Sequence, residues 1–179
     1  MKNLIIITML MLLCAAGCKK EKIAEIDKLP AATKTGANTF GCLVNGKAWM
    51  AQTDCKFLCD APLKLYYDAN GGGNVFVSAL SESIKERMSF AIDSTNTKVD
   101  FDYAILGSSH MGFTYSDEKL TSNCRFLFST DSTTSTSGNV TLTRYDLQNG
   151  IISGTFNFTL IKASCSTIRI TNGRFDKKL

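Results

Sequence analysis

From Phe40 onward, apolar side chains recur at every second position in short runs, and turn signals separate the runs. That period is the period of a pleated strand, whose successive side chains point to opposite faces. Leu63, Leu65 and Tyr67 alternate with Lys64, Tyr66 and Asp68; Met88, Phe90 and Ile92 alternate with Ser89, Ala91 and Asp93. Val99, Phe101, Tyr103 and Ile105 alternate with Lys98, Asp100, Asp102 and Ala104, and Cys124, Phe126 and Phe128 form a similar run. Ile152, Gly154, Phe156, Phe158 and Leu160 share one face of a longer segment. Val75–Leu80, apolar at both parities, reads as a central strand. Asn45-Gly46 predicts a two-residue hairpin that sets Cys42 opposite Trp49. Asn70–Gly73, Gln148–Gly150 and Asn172-Gly173 are read as further turns, and the Ser/Thr-rich stretch Thr130–Ser137 as a loop. Ser81–Arg87 is either one helical turn or a polar loop. The expectation is an all-β domain over residues 40–179, an antiparallel sandwich or barrel of roughly nine to ten strands.

The first 17 residues are different in kind. Met1-Lys2-Asn3 carries one positive charge, Leu4–Leu13 is a greasy run, and Ala15-Ala16-Gly17 is small. This order is that of an export signal, and the run is shorter than the ~20 residues a membrane span requires. Ala15-Ala16-Gly17-Cys18 resembles the lipobox of bacterial lipoproteins, with Ala15 where that family usually has Leu. The resemblance implies cleavage before Cys18, acylation of Cys18 and anchoring to the membrane through its acyl chains. Cys14, preceded by bulky Met11, Leu12 and Leu13, fits poorly; ordinary signal cleavage, leaving a soluble protein, is the alternative. Residues 18–39 are polar, lack aromatics and contain Pro30, and are read as a flexible tether. Lys19, Lys20 and Lys22 either touch anionic headgroups or are simply solvated, and the second is favoured.

Two segments carry a wider resemblance. Leu29–Trp49 is one; Gly150–Phe156 together with Ile170–Asp176 is the other. Together they resemble a family of uncharacterised Bacteroidota envelope lipoproteins grouped as a domain of unknown function. The resemblance implies a β-rich domain at the outer membrane and supplies no active-site residue. Surface-exported members of that phylum often carry acidic residues after the acylated cysteine. Lys19-Lys20-Glu21-Lys22 is mostly basic, so the periplasmic and the outer face both stay open.

Cys42, Cys55, Cys59, Cys124 and Cys165 remain after the signal, and an oxidising compartment makes them candidates for disulfides. Five is odd. Cys42 and Cys124 share faces with core aromatics and either meet or stay buried; Cys55 and Cys59 allow a local bridge; Cys165 is expected as the odd thiol. Structural zinc needs four ligands with paired spacing, and the chain has one histidine, His110. His110 in a Gly/Ser loop is expected to be solvated, with catalysis beside a Cys or Ser as the alternative. Asp100 and Asp102 share a strand face and could contribute to a calcium site, yet no dense oxygen-rich loop accompanies them. Gly71–Gly73 lacks the lysine and helix of a phosphate loop. Tyr66 points away from the Leu63/Leu65 face, where it either packs under another element or offers an aromatic surface to sugar or protein.

The 20 Lys+Arg against 16 Asp+Glu leave +4, too small an excess to imply a nucleic-acid partner. These features favour a membrane-anchored, non-enzymatic binding module for a glycan or an envelope protein, without cofactor or metal. Tyr66, Asp100, Asp102 and His110, with the loops Asp54–Pro62, Gly107–Gly112 and Thr130–Ser137, are the candidate binding surface. A lipocalin-like carrier of a small apolar ligand and a hydrolase using His110 are the alternatives. The oligomeric state is not constrained.

Overall fold

The computed structural model describes residues 22–57, 60–68, 73–92, 102–104, 112–121, 123–128 and 132–179; within 102–104 and 126–128 it describes only the backbone. Asn45 (φ 48°) and Gly46 (φ 80°) both lie in the left-handed region that a two-residue hairpin requires. They turn β1 (Thr39–Val44) into β2 (Lys47–Met50), with Cys42 opposite Trp49 as expected. Nine further strands follow among the described residues: β3 (Leu63–Asp68), β4 (Asn74–Ser81), β5 (Glu86–Ile92), β6 (Asp102–Ala104), β7 (Phe113–Asp117), β8 (Phe126–Phe128), β9 (Thr134–Asp146), β10 (Ile151–Lys162) and β11 (Ile168–Lys178). They form two antiparallel sheets, β2-β1-β11-β10-β9-β6 and β3-β4-β5-β7-β8. The fold is an all-β sandwich.

Each sheet turns one parity of its strands toward the other. Leu63, Leu65, Val75, Val77, Met88, Phe90 and Ile92 face Phe40, Val140, Leu142, Phe156, Phe158 and Phe175 from the other sheet. Phe90 lies at the centre, its ring 5.4–6.5 Å from those of Phe40, Phe156, Phe158 and Phe175. Phe113 stacks on Phe158 at 4.0 Å. The inward phenylalanines thus pack on one another between the sheets.

Two Gly-x-Phe triplets lock the strands β10 and β11. Pairing sets Gly154 opposite Phe175 and Phe156 opposite Gly173. A Cβ on Gly173 would lie 2.4 Å from the Phe156 ring, and one on Gly154 would lie 2.7 Å from the Phe175 ring. Each phenylalanine therefore lies over the glycine of the partner triplet, a reciprocal arrangement no larger residue permits.

Several local expectations are corrected. Asn172-Gly173 is no turn. Phe156 pairs with Gly173 and Phe158 with Ile170, so β11 carries one extra residue, a β-bulge in which Asn172 takes φ 53°. Thr134–Ser137 belongs to β9, because the backbone of β10 pairs with it as far as Lys162↔Thr134. β4 lies between β3 and β5, the central position expected of it, but its outer side is not buried: Phe76 is 41% exposed. Of the two readings of Ser81–Arg87 the loop holds, shortened to a tight turn at residues 82–85 that is closed by Lys85 at φ 58°. Cys124 sits in a turn that precedes β8, outside the strand expected to contain it.

The larger correction concerns the tether. From Glu25 on, the segment is docked on the domain. Glu25, in a short 3-10 helix (η1, Glu25–Lys28), accepts a hydrogen bond from the Ala48 amide of β2 at 2.8 Å. Leu29 is buried, and Pro30 lies against Gly41, where a Cβ would come within 2.6 Å of its Cδ. Residues 30–38 cross the outer face of the six-stranded sheet as a strap. No periodic apolar pattern marks this strap, because polar contacts hold most of it.

Candidate functional site

The strap is anchored by one carboxylate. Phe175 points inward, so Asp176 points to the outer face, beside Ser153 on the neighbouring strand. Its Oδ2 accepts from Thr33 Oγ1 (2.6 Å) and from the amides of Thr35 (2.9 Å) and Ala37 (3.0 Å). Its Oδ1 accepts from the Gly36 amide (2.8 Å) and Ser153 Oγ (2.7 Å). Gly36 takes φ 78°, which turns successive amides toward the same carboxylate. Asp176 is only 1% exposed. Burial pushes its pKa up, but the hydrogen bonds from Ser153, Thr33, Ala37 and Thr35 outweigh it and hold the carboxyl well below the usual range. Further clamps are Arg144 Nη1 on the Lys34 carbonyl (2.6 Å), Arg174 Nη1 on the Pro30 carbonyl (3.2 Å) and Lys177 Nζ on Asn38 Oδ1 (2.9 Å).

Beside the strap, the outer face of β9, β10 and β11 forms an open groove of about 430 Å³. Its side chains stand in two rows across the strands. Asn139 pairs with Asn157, and Asn172 projects from the bulge next to them. One step along, Thr141 pairs with Thr155, and Thr155 with Arg174. Ala32 of the strap closes one side. Asn157 Nδ2 donates to Asn139 Oδ1, and Arg174 Nε donates to the Asn172 carbonyl at 3.2 Å. The groove therefore presents amides, hydroxyls and one guanidinium on rigid, hydrogen-bonded strands. Such a surface can hold a polar, uncharged or anionic ligand by hydrogen bonds. The period-two pattern places these residues outward, but only the pairing register and the strap bring them to one groove.

The residues singled out in the sequence are dispersed. Asp102, on β6, pairs with Thr141 at the sheet edge, one strand beyond the groove. Tyr66 lies on the outer face of the other sheet, 58% exposed, its ring 6.2 Å from that of Phe76. Cys18, Cys59, Asp100 and His110 lie outside the described residues, as do Gly71-Gly72 and residues 107–111 of the loop Gly107–Gly112. Among the described residues, no three His, Cys, Asp or Glu side chains come together as a metal site would require.

The cysteine assignment is partly overturned. Cys165 is not the odd thiol: it is bonded to Cys124, tying the β10–β11 loop to the turn before β8 across 41 residues. Cys165 follows the end of β10 in a turn, so the strand-face argument that left it unpaired does not apply to it. Cys55 is also disulfide-bonded. Among the described residues Cys42 is the free thiol, fully buried, 3.7 Å from the Met88 sulfur. Burial pushes its pKa up, and the nearby Glu86 carboxylate adds to the effect. Cys42 is therefore held as a neutral thiol at physiological pH, a poor nucleophile. Close by, the Tyr115 hydroxyl donates to Glu86 at 2.9 Å. Burial, then the Glu86 charge, pushes the Tyr115 pKa up. The Glu86 carboxyl is itself raised by burial, which the Tyr115 hydrogen bond only partly offsets.

No curated protein and no solved structure shows significant similarity to the chain. A family model does match, over residues 64–177, from within β3 nearly to the end of β11. The matched span contains both Gly-x-Phe triplets, the bulge, the strand residues of the groove and Asp176, but not the strap that walls it, and the chain belongs to the family described as domain of unknown function (DUF6252).

Proposed function

We propose that this protein is a lipoprotein of the Bacteroidota cell envelope that binds a hydroxyl-rich ligand, a glycan, without transforming it. In this reading residues 1–17 direct export and are removed, and Cys18 is acylated and anchors the domain to the outer membrane. The groove on the six-stranded sheet is the ligand site. One observation carries the assignment: two rows of polar side chains, the amides Asn139–Asn157–Asn172 and the hydroxyls and guanidinium Thr141–Thr155–Arg174, walled by the strap. Adjacent strands lie about 4.8 Å apart, so a row offers regularly spaced donors and acceptors to a chain of hydroxyls. The neutral, buried Cys42 and the disulfide-bonded Cys55, Cys124 and Cys165 leave these cysteines without a thiolate for hydrolysis. Ring-on-ring packing of the inward phenylalanines favours a surface groove over an internal apolar ligand.

The test is binding to an array of envelope and host glycans, compared between the native protein and Thr155→Ala/Asn157→Ala, which touches neither the strap nor the core. The reading expects at least one glycan to bind and the double variant to lose about tenfold or more in affinity, two hydrogen bonds being worth ~1–3 kcal/mol together. Binding unchanged by the double variant, or none by folded native protein, overturns it.

A further inference from the structure

We propose that the corner formed by η1 and the β1–β2 hairpin is a lipid-facing surface, held against anionic headgroups with Ile23 and Ile26 in contact with the interface. The inference rests on acylation at Cys18, proposed above. Docking of residues 25–38 on the domain removes most of the reach that a tether of residues 18–39 would have. Glu25 is already fixed to the Ala48 amide, Leu29 is buried, and the segment beyond runs into the Asp176 anchor. Seven peptide units separate Cys18 from Glu25, which reach at most about 25 Å when fully extended. A lipid-anchored Cys18 therefore keeps this corner within a small protein's diameter of the bilayer and cannot offer the opposite end of the sandwich to it.

The corner has the chemistry of an interface. Ile23 is 68% exposed and Ile26 37%, on the same short segment whose next apolar residue, Leu29, is buried. Around them stand Lys22, Lys28, Lys47 at the hairpin turn, and Arg169, whose backbone is hydrogen-bonded to Asn45 of that turn. The carboxylates on the segment are Glu25 and Asp27, and Glu25 is engaged by Lys28 and the Ala48 amide. Four cations against two carboxylates, with two exposed isoleucines, complement an anionic lipid surface.

Trp49 is the chain's single tryptophan and follows Ala48 directly, so it reports on this corner without a label. The experiment measures energy transfer from Trp49 to dansyl-headgroup lipid in phosphatidylcholine/phosphatidylglycerol vesicles carrying the mature acylated protein. Native protein should transfer efficiently. Ile23→Asp/Ile26→Asp, and separately a 20-residue Gly/Ser insertion between Lys20 and Glu21 that adds tens of ångströms of reach, should each reduce transfer about twofold or more at unchanged flotation. Equal transfer in all three proteins, or weak transfer from native protein that floats, overturns the proposal while leaving the anchor intact. A mature protein without acyl mass that fails to float overturns the Cys18 reading, and this proposal with it.

Discussion

Replacing Asp176 by Asn tests the strap most sharply. The carboxylate accepts five hydrogen bonds of 2.6–3.0 Å, three of them from successive backbone amides of the strap. Hydrogen bonds to a charged acceptor contribute ~1.5–3 kcal/mol each, and they are not additive when they share one acceptor. Asp176→Asn keeps one acceptor oxygen, removes the charge and points an NH2 group at donors. We expect a loss of about 2–4 kcal/mol, the cost of leaving one or two of these donors without a good acceptor. In urea this lowers the unfolding midpoint with little change in slope, and hydrogen exchange should accelerate at Thr35, Gly36 and Ala37 before the core opens. The carboxyl pKa is depressed in the folded state relative to an ordinary 3.8. Its contribution is therefore fully present above that value and is lost as pH falls below it, so Asp176→Asn should flatten the acid limb of the stability profile. A loss under about 1 kcal/mol, or strap amides that keep native protection, would refute the anchoring argument.

Three further outcomes follow from the packing. Gly173→Ala places a Cβ 2.4 Å from the Phe156 ring and should cost about 2–3 kcal/mol in chemical denaturation, whereas Gly46→Ala, with nothing within 4 Å but φ 80°, should cost about 1 kcal/mol. Removing the 41-residue cross-link by Cys124→Ser/Cys165→Ser should destabilise the domain by about 4 kcal/mol, read as a fall in Tm, and a change under about 1 kcal/mol would deny it a clamping role. The Cys42 peptide should resist iodoacetamide at about pH 8 in native buffer and label fully in urea; rapid native labelling would contradict a buried neutral thiol.

The sandwich was legible because alternation forces it. Leu63/Leu65, Met88/Phe90/Ile92 and Ile152–Leu160 all bury the parity their patterns mark, and Asn45-Gly46 set the Cys42–Trp49 register. The bulge was legible in principle. Ile168 and Ile170 are inward at even positions, Gly173 and Phe175 at odd ones, and that change of parity demands one extra residue. Asn-Gly supplies left-handed backbone equally to a turn and to a bulge, which is why turn chemistry alone misassigned it. The strap was not legible: Thr33–Ala37 meets Asp176 some 140 residues away, mainly through backbone amides that leave no trace in residue type. The groove inherits that difficulty, since the strap and the register together assemble it. The Cys124–Cys165 bond joins two turns, where strand parity carries no information about side-chain direction.

The most direct test of the binding account is an amide chemical-shift titration of the mature domain with the glycan selected on the array. The account predicts that the largest shifts gather on Asn139, Thr155, Asn157, Asn172 and Arg174, with smaller ones at Ala32 of the strap. Shifts centred instead on Tyr66 and Phe76, on the opposite face of the sandwich, would contradict it.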